Sequence, residues 1–147
     1  MRQDGSGIDL ELSVGYRLKV ATSALHAAME EVLRPLGLTI THYSTLEQLA
    51  QRPGVSSSDL ARGTFVTRQS MSTVLQTLAA AGLITRADTA AHGRALPVEL
   101  TAVGRERLAA ASAAVLAVER RMLADVDEPG LIALRDLLDR CTRALRA

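Results

Sequence analysis

Between Thr67 and Leu78 the side chains sort into two sets by helical period. Met71, Val74, Leu75 and Leu78 fall at i, i+3, i+4 and i+7 and make one apolar stripe. Arg68, Gln69, Ser72, Thr73 and Gln76 lie on the other side. Each of these groups can donate a hydrogen bond, to a phosphate oxygen or to a base edge in a major groove, and no acidic residue interrupts them. A helix face that merely meets water carries Glu or Asp as well, so this face points to nucleic acid.

Such a helix must be held at both ends and backed by a core. Thr67 is placed to cap it, with Val66 and Met71 at the positions of a hydrophobic staple, and Gly82 is the expected left-handed stop. Upstream, Ser56-Ser57-Ser58-Asp59 has the S-x-x-D form that opens a short helix carrying Leu60 and Ala61, closed by Gly63. Downstream, Ile84-Thr85-Arg86 reads as a strand, and Leu96, Val98 and Leu100 alternate as its partner beyond the loop 88–93. Pro97 cannot donate to a ladder, so that strand belongs at an edge. Two short helices joined by a tight turn and followed at once by a hairpin are the layout of a winged helix-turn-helix.

The flanks are helical. Residues 8 to 34 lack proline, and Val14, Leu18, Ala21, Leu25, Ala28 and Val32 make a seam that runs until Pro35 and Gly37. A helix this long needs a partner helix, from this chain or a second one. Thr41 is positioned to cap the next helix, which runs through Ala50 with Leu46 and Leu49 inward and Arg52-Pro53-Gly54 as its end. Thr101 opens a helix to about Ala124. Asp127-Glu128-Pro129 opens the last, with Leu131, Leu134, Leu138, Cys141 and Leu145 as its stripe.

Composition agrees with helices. Of 147 residues 48% are hydrophobic and only 2% aromatic, which supports a sizeable core but excludes an all-β sandwich. The net charge of +1 is too small for a domain that coats nucleic acid, so its distribution matters more. From Leu60 to Arg107 there are six arginines, Arg62, Arg68, Arg86, Arg94, Arg105 and Arg107, against Asp88, Glu99 and Glu106. The rest of the chain is slightly acidic.

Enzymatic and metal chemistry find no support. Glu30-Glu31 and Asp127-Glu128 are adjacent pairs rather than facing carboxylates, and there is no GxGxxG or Walker loop. His26, His42 and His92 fall in different elements without ligand spacing, so neither a metal nor another cofactor is expected. Cys141 is alone and within an apolar stripe, where a thiol is expected to be buried and inert. No secretory h-region or span of ~20 apolar residues occurs, and a cytoplasmic protein with no membrane partner is expected.

In order and spacing, Val55 to Ala61, Val66 to Ser72, Ala81 to Arg86, Gly93-Arg94-Ala95 and Val98 to Gly104 together resemble the MarR family of winged-helix transcription regulators, over nearly the whole chain. The resemblance implies a mainly α fold with a small β-hairpin wing: a winged helix-turn-helix (37–100) beside a helical dimerisation region (8–36 and 101–147), after a flexible start (1–7). It implies a homodimer that sets two recognition helices on a pseudo-palindromic double-stranded operator, with half-sites about one helical turn (~34–36 Å) apart. The expected DNA contacts are Arg62, Thr67, Arg68, Gln69, Ser72, Thr73, Arg86 and Arg94.

Relatives commonly carry Asp-x-Arg in the wing; here Arg94 matches the arginine and His92 stands at the aspartate position. Relatives also place arginines where this chain has Thr73 and Thr77, so its recognition helix is less charged than usual. The common mode of regulation in the family is release from DNA by a small aromatic molecule, and His26, Met29, His42 and Tyr43 are the candidates to line that crevice. The function expected is a repressor released from its operator by such an effector. The alternative is a winged-helix dimer with degenerate DNA binding that acts through protein contacts, and salt-dependent DNA affinity separates the two.

Overall fold

Helix ends in this chain are fixed largely by hydroxyls and carboxylates that accept from backbone N–H groups. A computed structural model describes residues 7–86 and 98–147. In chain order it contains α1 (Val14–Leu33), a 3-10 turn (Arg34–Leu36), α2 (Ile40–Gln51), α3 (Ser57–Thr64), α4 (Arg68–Ala80), strands β1 (Ile84–Arg86) and β2 (Val98–Leu100), α5 (Ala102–Met122) and α6 (Glu128–Arg146). Ser56, Thr67, Thr101 and Asp127 cap α3, α4, α5 and α6, each accepting from the N–H three residues on.

The two strands pair antiparallel with Ile84 opposite Leu100 and Arg86 opposite Val98. Ile84 and Leu100 turn inward, joining a core of Leu33, Leu46, Leu49, Leu60, Met71, Leu75, Leu78 and Leu83. Each such leucine contributes about 1.5–3 kcal/mol by leaving water. Thr45, fully buried among them, donates to the Thr41 carbonyl at 2.7 Å, so the polar group is satisfied. This core draws on α2, α3, α4 and the hairpin together. It fixes the angle at which α4 is presented.

Four expectations need correction. The first helix begins at Val14, not near Ile8, because Asp9 turns the chain: its carboxylate accepts from Glu11 N–H, its carbonyl from Leu12 and Ser13, and Ser13 then caps α1. The cap of α2 is Thr39 rather than Thr41. His42 decides it, since its N–H donates to Thr39 Oγ1 at 3.1 Å while its Nδ1 accepts from Thr39 N–H at 3.3 Å, a reciprocal box that Thr41 could not close. Gly63 does not end α3 but lies inside it beneath the Gln48 amide, and the left-handed residue is Phe65. Cys141 is exposed, because the α6 stripe is not covered within the chain.

That stripe and the outer side of α1 are apolar surfaces left open among the described residues. Helix α1 packs along α5, but Val14, Leu18 and Val20 remain exposed, as do Ile132, Leu134, Leu137 and Leu138 on α6. No helix among the described residues is long and apolar enough to cross a membrane.

Candidate nucleic-acid interface

The inward stripe of α4 leaves Arg68, Gln69, Ser72, Thr73 and Gln76 exposed together on its outer face. Thr67 fixes where that face begins. Its Oγ1 accepts from Ser70 N–H at 3.0 Å and donates to Ser70 Oγ at 2.9 Å, so the cap is doubly held. The first-turn N–H groups beyond the cap and the positive end of the helix dipole add to the attraction for an anion. Within the helix, the Thr77 hydroxyl donates to the Thr73 carbonyl at 3.0 Å and Thr73 makes a longer bond, 3.5 Å, to the Gln69 carbonyl. Their outward lone pairs are therefore acceptors rather than donors, a refinement of what the sequence implies for Thr73.

Arg62 is exposed on α3 and ion-paired to Asp59, one turn earlier. The Arg62 guanidinium, and after it the Ser56 hydroxyl, holds the Asp59 carboxyl below the usual carboxylate range. Sequence reasoning missed this partner, although an i,i+3 Asp–Arg pair is visible in the spacing. Arg86 is exposed at the end of β1. Arg94, like His92 and Pro97, lies outside the described residues. Two further arginines brace the interface from behind: Arg105 Nη1 donates to the Leu100 carbonyl at 3.0 Å and Arg107 Nη1 to the Leu36 carbonyl at 3.1 Å.

The four crevice candidates differ in burial. Met29 and Tyr43 are half-buried against the core. His42 is half-buried at the start of α2, where desolvation lowers its pKa below 6.5. His26 is exposed instead, on an open groove of α1 shared with Leu18, Lys19, Thr22, Ser23 and Glu30. Burial pushes the Tyr43 phenol up; the nearby Ser112 hydroxyl opposes this, and the charges of Glu47 and Glu119 reinforce it. Ser112 in turn donates to Glu47 at 3.0 Å, tying α5 to α2. Ser112 comes from 65 residues further along the chain than Glu47, and nothing in local spacing announces it.

A capped helix with a donor-rich outer face, backed by a second short helix and followed by a hairpin, defines a winged helix-turn-helix regulator. Residues 36–95 match the model of the MarR family. The chain is 37% identical over 134 residues to the HTH-type transcriptional repressor Rv2887 of Mycobacterium tuberculosis, covering 91% of this chain and 96% of that repressor. Crystal structures of Rv2887 are similar in fold as well. The complex with salicylic acid superposes with a TM-score of 0.71 at 38% identity, over 88% of this chain and 96% of that one. The complex with DNA gives 0.71 at 35% identity, over 88% and 97%. The chain belongs to the MarR family, and it is a transcriptional regulator rather than an enzyme.

Proposed function

We propose that this protein is a homodimeric repressor that occupies a pseudo-palindromic operator through two copies of α4. The observation that carries the reading is the outer face of α4, where five exposed donors or acceptors stand together without a carboxylate. In this reading Gln69, Ser72 and Thr73 address base edges, and Arg68 and Thr67 hold the register on the backbone. Arg62 and Arg86 contribute phosphate contacts at the flanks, and Arg94 in the wing enters the minor groove, where a narrow groove concentrates negative potential. The exposed apolar stripes of α1 and α6 supply the surface a second copy would cover, and the dimer sets the half-site spacing.

Rv2887 has been crystallised with salicylic acid and with p-aminosalicylic acid, which supports a small aromatic acid as effector here. Met29, His42 and Tyr43 are the residues of this chain proposed to meet it, with His26 at the rim. Release follows if the acid binds the DNA-free geometry of the dimer more tightly than the DNA-bound one.

The test is fluorescence anisotropy of the purified protein with DNA from upstream of its own gene, at several salt concentrations, beside a scrambled duplex. Selective binding that weakens steeply with salt, and weakens further with added salicylate, is the expected result. Equal and feeble binding to both duplexes would leave either a remote operator or a dimer that works through protein contacts, and selection from random-sequence DNA separates the two.

A further inference from the structure

Phe65 is the one non-glycine residue with a positive φ among the described residues, at 60°, and it is 85% exposed. The turn imposes the left-handed conformation. Phe65 N–H donates to the Arg62 carbonyl at 3.3 Å and Val66 N–H to the Ala61 carbonyl at 3.0 Å, closing α3 and delivering the chain to the α4 cap two residues later. Glycine meets that geometry without steric cost, whereas phenylalanine meets it with strain. Its ring gains no burial in return.

The surroundings say what such a ring would meet. Phe65 shares a surface hollow with Arg52, Arg62 and Arg146, against the single carboxylate of Asp59. Arg68, exposed, follows three residues later. A second copy offering the same arginines would be repelled, while a polyanion with apolar patches between its charges satisfies both the arginines and the ring.

We infer that Phe65 is a DNA-contact residue whose ring packs on an apolar group of the duplex, a deoxyribose face or a thymine methyl, at the edge of the groove that α4 enters. The inference rests on α4 being the recognition helix. It explains why the cheapest residue for the turn is absent: the strain is carried in the free protein and the contact is made only in the complex.

The test compares F65G and F65L with wild type by anisotropy, on the operator and on the scrambled duplex. F65G relieves the strained φ and removes the ring, so it should melt at or above the wild-type temperature while operator affinity falls about tenfold at an unchanged salt slope. F65L should keep most of the affinity. A loss equal on both duplexes assigns the deoxyribose. A loss confined to the operator, and reproduced with wild-type protein when deoxyuridine replaces thymine, assigns the methyl. Wild-type affinity in F65G, or a sharply lower melting temperature, would overturn the inference while leaving α4 as the reader; wild-type protein that binds neither duplex would remove α4's role and this inference with it.

Discussion

The Leu83 carbonyl and the Gly104 α-carbon lie so close that a Cβ on Gly104 would fall 2.0 Å from the Leu83 oxygen. That oxygen also accepts from Thr101 N–H at 3.0 Å, and Thr101 Oγ1 donates to the Gly82 carbonyl at 2.6 Å. The end of α4, the root of the hairpin and the start of α5 are thus locked at one point. This junction holds the paired strands against the end of the recognition helix.

Gly104→Ala should therefore be among the most damaging single-methyl changes in the chain. The obstacle is the Leu83 backbone, so relief requires moving the start of α5 away from Leu83, at a cost of about 3 kcal/mol or more. Gly82→Ala makes the control: it has φ +74° but open space around the new methyl, and should cost only about 1 kcal/mol. Thermal unfolding followed by circular dichroism measures both. Equal losses would mean that the close approach at Leu83 relaxes freely.

The Thr39–His42 box gives stability a pH dependence. His42 must be neutral for Nδ1 to accept from Thr39 N–H, and desolvation lowers its folded pKa below 6.5. Well above 6.5 the residue is neutral in both states and the contribution is complete. As pH falls below 6.5 the unfolded chain takes up the proton first, so stability drops until the folded pKa is reached and then levels off. His42→Gln keeps an acceptor at this position without titrating. The difference in melting temperature between wild type and this variant should move against wild type between pH 7 and 5, and a constant difference would show that His42 contributes no linkage.

These elements also show what a sequence reveals. Ser56, Thr67, Thr101 and Asp127 are legible because a cap is a local event decided within three residues. Thr39 is not, since two threonines compete two residues apart and the choice falls to a histidine acting as acceptor, an unusual member of that box. Phe65 is illegible for a different reason: a left-handed turn is read from glycine, and the nearby Gly63 attracts the assignment while serving to let Gln48 approach. The outer face of α4 follows from period alone, but Tyr43, Ser112 and Glu47 meet only through tertiary packing.

Arg68 and Arg62 should differ in their effect on DNA, because among the described residues Arg62 is already engaged by Asp59 and Arg68 has no ion-pair partner. Arg68→Ala should lower affinity about tenfold and reduce the salt slope by about one ion. Arg62→Ala should do less, since a phosphate must compete with Asp59 for the guanidinium. Asp59→Asn, which keeps the side chain's size and removes the competitor's charge, should then raise affinity on operator and scrambled duplex alike. Anisotropy at three salt concentrations resolves all three. Equal losses from the two arginine variants would show that the Asp59 pair opens at no cost.

The last helix decides whether two half-sites can be read at once. Leu134 and Leu138 stand one turn apart on an α6 that buries no residue within the chain, so aspartate at both positions places charge on the proposed dimer face without touching the winged core. The double variant Leu134→Asp, Leu138→Asp should elute as a monomer with its helical signal largely retained. A dimer binds its second half-site as an intramolecular step, so losing it should weaken operator binding by about a hundredfold or more, with a smaller effect on an isolated half-site. Light scattering coupled to size exclusion reports the first expectation and anisotropy the second. A variant that stays dimeric would move the interface to α1, and a monomer that keeps full operator affinity would mean that one copy of α4 suffices.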